Sequence, residues 1–304
     1  MSISHISVCI CTYKRPGFLK ILLEHLQRQQ TDGLFSYSIV VVDNDYEQSA
    51  KATVMDVMGG SFKIIDYYCE TEKNIACARN KAVQKAVGDF IAFIDDDEFP
   101  VNDWLLNLYK SCDEYNADGV LGPVLPHYEV SPPEWLLKGQ FFERPTYDTG
   151  TRMHWSNTRT GNVLLRRKIF DGLEYPFDHD FGAGGEDVRF FKEMQERGCV
   201  FIWSNDAKVY EIVPQSRCTK SYLLRRAFLQ GNISLRYYKN TMNNKLRARI
   251  LVKSLTALLL YSCILPVSCF LGMHTFMKYL IKNLHHLSRF LALSGIVTVR
   301  NRNI

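Results

Sequence analysis

Three consecutive aspartates, Asp95, Asp96 and Asp97, close an apolar run that begins at Phe90, and Glu98 follows them. Adjacent carboxylates repel, which raises a pKa or demands a counter-charge. A hard divalent cation, Mg2+ or Mn2+, is the natural counter-charge. It takes one or two carboxylates and completes its shell with water and substrate phosphates. A solvated acidic turn is the plainer reading, but it does not account for a position directly after a buried strand. The second group is Gly182-Ala183-Gly184-Gly185-Glu186-Asp187. Carboxylates in the first turn of a helix gain from its dipole. Capping, however, needs one acid and none of the glycines. A general base on a loop that closes over a substrate uses both features.

These groups need elements that bring them to one edge. Apolar runs predict strands at 6–11, 39–42, 63–68 and 89–94, alternating with helices at 17–30 and 75–87. Such alternation implies right-handed crossovers and a mostly parallel sheet. Ligands of an open sheet of this kind bind beyond the carboxyl ends of its strands. Each strand delivers polar groups there: Thr12, Tyr13, Lys14 and Arg15; then Asp43, Asn44 and Asp45; then Glu70, Glu72, Lys73 and Asn74; then the aspartates. Further on, helices are expected at 104–115, 186–197 and 221–238, and strands at 119–124, 161–165, 200–204 and 208–213. Residues 125–158 read as a functional loop region. No G-x-G-x-x-G follows the first strand and no P-loop is present, which argues against a dinucleotide cofactor and P-loop chemistry.

The chain has 304 residues, 46% apolar and 23% charged, an ordinary globular balance that excludes a disordered protein. The net charge of +5 is mild, but its distribution is not. Residues 212–304 carry 15 Lys and Arg and no Asp or Glu, whereas residues 1–211 carry 22 basic and 32 acidic groups. An acidic body with a basic tail calls for an anionic surface or partner. Nine scattered cysteines show no framework. Cys9-Ile10-Cys11 has no second cysteine pair nearby, which argues against a structural zinc site there. Free thiols in a reducing compartment follow, and the N-terminus lacks a signal-peptide pattern. The body is therefore expected in the cytoplasm.

Six runs taken in order, SVCICTYKRP, VVVDND, NIACARNKA, FIAFIDDDE, the Gly-Asn at 161–162 and GGEDVRFF, resemble the inverting glycosyltransferases of family 2. The resemblance covers about residues 4–235 and implies the GT-A fold. It implies a nucleotide-sugar-binding half at 1–98 and an acceptor-binding, catalytic half at 99–235. The stretch VYEIVPQSRCTKSYLLRRAFLQG further resembles non-processive bacterial members that build exopolysaccharide or lipopolysaccharide units. Gln215-Ser216-Arg217 departs from the Q-x-x-R-W element of processive synthases, which argues against polymerisation. The resemblance implies that Thr12, Tyr13 and Arg15 lie against the nucleotide and that Asp43 reads the base, most often uracil. Asn74 and Arg79 join the donor-binding set. Asp95 and Asp96 face ribose or sugar. Asp97, with Asp95, is the expected ligand of Mn2+ or Mg2+. Asp187 is the base and Glu186 sits beside it on the acceptor hydroxyl. Gly161 and Asn162 fall on the acceptor side. Some relatives have a metal-binding histidine where this chain has Glu211. Trp135 and Trp155 could stack on sugars or simply pack.

The last part, 236–304, reads as a basic, apolar helical region that associates with a membrane. Residues 254–277 contain no Lys, Arg, Asp or Glu, which is 24 residues against the roughly 20 that cross a hydrocarbon core. Pro266 interrupts them, and an amphipathic stretch runs from 279 to 297. A core helix pair, a single span and an interfacial or re-entrant pair all remain open. Positive charge on both flanks favours a hairpin on the cytoplasmic face, near anionic lipids. The apolar content argues against nucleic acid as the partner of the cations. The expected activity is therefore metal-dependent, inverting transfer of a sugar from a nucleotide sugar, expected to be UDP-linked, to a lipid-linked or surface glycan. The alternative is a catalytically silent sugar-binding scaffold, and a nucleotidyltransferase would leave Glu186 and Asp187 without a use.

Overall fold

The computed structural model describes residues 3–59, 65–181, 184–235 and 243–294. The chain divides into two compact units, one of residues 1–126 and 144–212, the other of residues 127–143 and 213–304. The expected boundaries at 98 and 235 are not where the units divide. Three strands beyond residue 98 complete the central sheet, and the second unit takes in residues 127–143 as well as those from 213.

The first unit is built on seven strands. They are β1 (Ser4–Thr12), β2 (Phe35–Asp43), β3 (Ile65–Cys69), β4 (Phe90–Phe93), β6 (Gly119–Leu121), β8 (Val163–Arg166) and β9 (Phe201–Trp203), in the order β3-β2-β1-β4-β8-β6-β9. β1 pairs in parallel with both β2 and β4, and β2 with β3. β8 is antiparallel to β4 and to β6, so one reversed strand sits in an otherwise parallel sheet. Both faces are covered. Ile6, Val8 and Ile10 alternate with Cys9, and Ile39 and Val41 with Val40 and Val42, between two separate core clusters. That period of two forces a helix onto each face. Helices α1 (Pro16–Leu26), α2 (Lys51–Met58) and α4 (Trp104–Glu114) cover the first face. Helices α3 (Ile75–Lys85) and α6 (Glu186–Glu196) cover the second. Leu19, Leu22, Leu23 and Leu26 of α1 are fully buried, each contributing about 1.5–3 kcal/mol of transfer free energy.

Residues 119–124 form two strands rather than one. β6 ends at Leu121, and β7 (Val124–His127) joins β5 (Glu98–Pro100) and β10 (Val209–Ile212) in a small second sheet. Gly122-Pro123 makes the break, because proline cannot donate to a ladder. The expected third strand is seen from Ile65, and residues 63 and 64 lie outside the described residues.

The second unit is helical: α5 (Glu134–Gly139), α7 (Lys220–Ile233), α8 (Asn244–Phe270) and α9 (Met273–Leu293). Asn283 of α9 donates to Leu258 O at 3.2 Å and Ser262 Oγ at 2.8 Å on α8. The two long helices therefore pack as a hairpin around Gly272, whose φ of +99° is glycine's own region. α8 is long and apolar enough to cross a membrane by length and composition. It leaves Leu259 60% and Phe270 90% exposed, and Val252, Leu260 and Val267 exposed as well. Residues 236–242 and the end of the amphipathic stretch after 294 lie outside the described residues.

Candidate active site

The carboxyl edge of the parallel strands gathers the polar groups of the first unit. β1 ends in Thr12, whose Oγ1 donates to Asp96 Oδ2 at 2.8 Å. Pro16 opens α1 with its pre-set φ, which leaves Arg15 at the helix entrance. The Arg15 guanidinium donates to Asp96 Oδ1 at 3.1 Å and Asp97 Oδ2 at 3.2 Å. Asp96 and Asp97 are buried, while the Asp95 side chain is half-exposed. Burial pushes the Asp96 carboxyl up to about 6, against the pull of Arg15. Tyr13 lies under the Lys73 ammonium, 4.6 Å from its ring centroid.

Arg79, on α3, joins the two acidic groups. Its guanidinium donates to Asp95 Oδ1 at 3.4 Å and pairs closely with Glu186 Oε1. Both Arg79 and Glu186 are almost wholly buried. Residues separated by more than ninety positions thereby meet at one place. Glu186 and Asp187 begin α6, and the preceding Gly184 and Gly185 have φ of +122° and +102°, which side chains resist. Gly182 and Ala183 of the same loop lie outside the described residues. Asp187 is half-exposed, and its Oδ1 accepts from Val188 N at 2.8 Å. Among the described residues it has no ion-pair partner, so it is the accessible carboxylate of the pair.

Gly161 sits where a side chain would collide. A Cβ there would meet Asp95 Oδ2 at 2.9 Å and Glu98 Oε1 at 3.0 Å. Its backbone therefore closes the floor of the carboxylate cluster. Glu98 is buried, and burial beside Asp95 pushes its carboxyl well above the usual range, with Arg144 pulling the other way. Glu211 faces Glu98 across the β5–β10 ladder and pairs closely with Arg144. Ile212 N donates to Asp97 O at 2.8 Å, which brings β10 against the aspartates.

Several expected roles change with these partners. Asp43 is fully buried, and its oxygens accept from Asp45 N at 3.1 Å, Ala50 N at 2.8 Å and the Tyr67 hydroxyl at 3.0 Å. It shapes the turn after β2, with its oxygens turned to the protein's own donors. Asp45, two residues on, is buried with one oxygen, Oδ2, lacking a hydrogen-bond partner. Asn74 caps α3 through Ala76 N at 2.9 Å and donates to His179 O at 3.1 Å, so it positions backbone. Asn162 is fully buried in a left-handed conformation. It donates to Pro123 O and Ala207 O and accepts from Trp104 Nε1, which leaves nothing for an acceptor. Glu211 enters as the partner of Arg144 rather than as a bare ligand. Trp135 belongs to the second unit, where its ring packs with Phe141 at 5.6 Å and Lys220 at 6.0 Å. Trp155 packs against the second core cluster with Lys192 near its face. No motif or spacing singles out Arg144 or the half-buried Arg159, whose charge burial and Arg144 oppose.

The donor set at Asp95, Asp96 and Asp97 is all carboxylate oxygen, with one member half-exposed and Thr12 and Arg15 behind the others. That chemistry fits a hard divalent cation.

The family model for glycosyl transferase family 2 matches residues 7–173. The succinoglycan biosynthesis protein ExoM of Rhizobium meliloti is 36% identical over 233 residues, 75% of this chain and 73% of that protein. The glucosyl-dolichyl phosphate glucuronosyltransferase of Haloferax volcanii is 25% identical over 244 residues, 74% and 75% of the two chains. Among solved structures, residues 1–349 of S. aureus TarS in complex with UDP superpose with a TM-score of 0.53 over 95% of this chain and 91% of that one. At 15% identity that likeness is one of fold, a mainly parallel sheet of GT-A type. A family match over more than half the chain and a relative 36% identical over most of its length show the family: the chain belongs to glycosyl transferase family 2 and is a glycosyltransferase.

Proposed function

We propose that the protein transfers a sugar, with inversion, from a UDP-linked donor to a hydroxyl of a lipid-linked glycan in surface polysaccharide synthesis. The observation that carries this reading is the Arg79 bridge, which sets the Asp95–Asp97 cluster beside the Glu186-Asp187 pair. Transfer needs both: one group to hold the leaving diphosphate and one to take a proton.

Glu186 is committed to Arg79, so Asp187 removes the proton from the acceptor hydroxyl as its oxygen attacks the anomeric carbon. Direct attack with a single base inverts the anomeric centre, through an oxocarbenium-like transition state. Thr12, Tyr13 and Arg15 line the nucleotide side. Asp45, with an unpartnered buried oxygen, takes over from Asp43 as acceptor for a ring N–H of the base. Asp97 and Asp95 would hold Mn2+ or Mg2+. When bound, such an ion supplies charge neutralisation for the leaving diphosphate. Arg15 adds fixed positive charge beside Asp96 and Asp97, and Arg159 beside Glu98, Asp187 and Glu211.

The relatives support the class of acceptor. One is named for succinoglycan biosynthesis and one for a dolichyl-phosphate-linked glucose. A tail with an exposed apolar helix and no acidic residue suits the cytoplasmic face of a membrane, with anionic lipids as partners.

Thermal-shift screening of the full chain against nucleotide sugars, with and without Mn2+, tests donor and metal together. One UDP-sugar should raise the Tm, and only when Mn2+ is present. Equal shifts without Mn2+, or none with any UDP-sugar, would contradict the proposal.

A further inference from the structure

The structure assigns a second metal site, for a zinc-class ion, to Glu72, Cys77 and His179. One ligand atom from each residue lies within 4.8 Å of the other two. Cys77 Sγ and His179 Nδ1 are 3.9 Å apart. A tetrahedral zinc ion, with bonds of about 2.3 Å to sulfur and 2.0–2.1 Å to nitrogen, sets such a pair about 3.5 Å apart. A shift of a few tenths of an ångström brings the Cys77–His179 pair to that spacing, and rotation of the exposed Glu72 side chain would bring its carboxylate in from within 4.8 Å. One thiolate, one imidazole and one carboxylate form a borderline-soft set, which selects zinc-like ions over Mg2+ or Mn2+. The fourth position is left to water, as in an open site.

The framework is set before any ion arrives. Cys77 is buried in the first turn of α3, and Glu72 stands two residues before its cap, Asn74. Asn74 Nδ2 donates to His179 O, so the residue that caps α3 also fastens the histidine backbone. The Tyr175 ring packs edge-on against the His179 ring at 5.3 Å. Zinc binding would release the Cys77 thiol proton to solvent and engage the thiolate sulfur. His179 would bind through Nδ1 as neutral imidazole, with its proton on Nε2. The ion would then tie the segment leading to Glu186 and Asp187 to the helix that carries Arg79. Neither Cys77 nor His179 has a task in the transfer reaction, and the all-oxygen set at Asp95–Asp97 is of different chemistry.

Cobalt(II) titration of the reduced full-length protein, followed by absorption, reads this site alone. A thiolate ligand gives a sulfur-to-cobalt charge-transfer band, and carboxylates do not. The wild type should develop that band, saturating at one equivalent. Zn2+ should remove it and excess Mg2+ should not. Asp97→Asn should keep the band, Cys77→Ser should lose it and His179→Ala should weaken it. Zn2+ should also slow alkylation of Cys77 in the wild type, a measurement independent of how the variants fold. Absence of the band, its persistence in Cys77→Ser, its loss in Asp97→Asn, or alkylation of Cys77 unaffected by Zn2+ would each overturn the assignment.

Discussion

At the level of single residues, the site is a set of carboxylates sorted by their partners. Arg79 and Glu186 form a buried ion pair, and removing one partner leaves the other charged and unpaired. Arg79→Ala should therefore cost about 3–5 kcal/mol in urea unfolding as well as activity. A loss below about 1 kcal/mol would mean that the pair is not closed off from water. Asp96 gives a test in pH. Its folded carboxyl binds its proton up to about 6, above the ordinary 3.8, because of burial. The folded state therefore holds more protons than the unfolded one in this interval, and this residue's contribution to stability falls as pH rises from about 4 to 6. Asp96→Asn should be stabilised relative to the wild type at pH 7, by at most about 3 kcal/mol, and the gap should close toward pH 4. A gap independent of pH would contradict this account. The acids of the candidate site were legible in sequence, since Asp95–Asp97 and Glu186-Asp187 stood out by type and spacing. Their partners were not: nothing near Asp43 foretells that Ala50 N and the Tyr67 hydroxyl enclose it.

Among the elements, strands β1, β2 and β4 were plain from continuous apolar runs, because burial on both faces leaves no alternation to misread. β5, α2 and α5 were not expected. β5 is three residues long and begins with a glutamate, and α5 is six residues inside the irregular region. The Glu72–Cys77–His179 grouping escaped for a related reason. Spacing rules for zinc look for nearby pairs, and here the histidine arrives 102 residues after the cysteine. Gly161 shows how an element end can determine a site. Gly161→Ala would press a methyl group onto Asp95 and Glu98, which are tied to Arg79 and β10 and cannot simply retreat. Affinity for the nucleotide sugar with Mn2+ should fall, and calorimetric titration measures it. Unchanged affinity would show that the cluster yields easily.

For the molecule as a whole, the change in charge at residue 212 coincides with the start of the longer part of the second unit, residues 213–304. The basic, apolar part is the helical hairpin of α8 and α9, and it presents Leu259, Leu260 and Phe270 outward. Vesicles with anionic headgroups should retain the full chain, and neutral vesicles should retain less, with high salt weakening the difference. Leu259→Glu combined with Leu260→Glu should release it from both, whereas retention of that variant would place the contact elsewhere. The central claim is that one acidic cluster holds the donor while Asp187, beside it, takes the proton. Sugar transfer and donor binding, measured in parallel on wild type, Asp187→Asn and Asp97→Asn with Mn2+, test it directly. The account predicts that Asp187→Asn binds the donor normally and turns over about 10²–10⁴-fold more slowly, while Asp97→Asn loses Mn2+-dependent binding. Wild-type turnover by Asp187→Asn, or Mn2+-dependent binding that survives in Asp97→Asn, would contradict it.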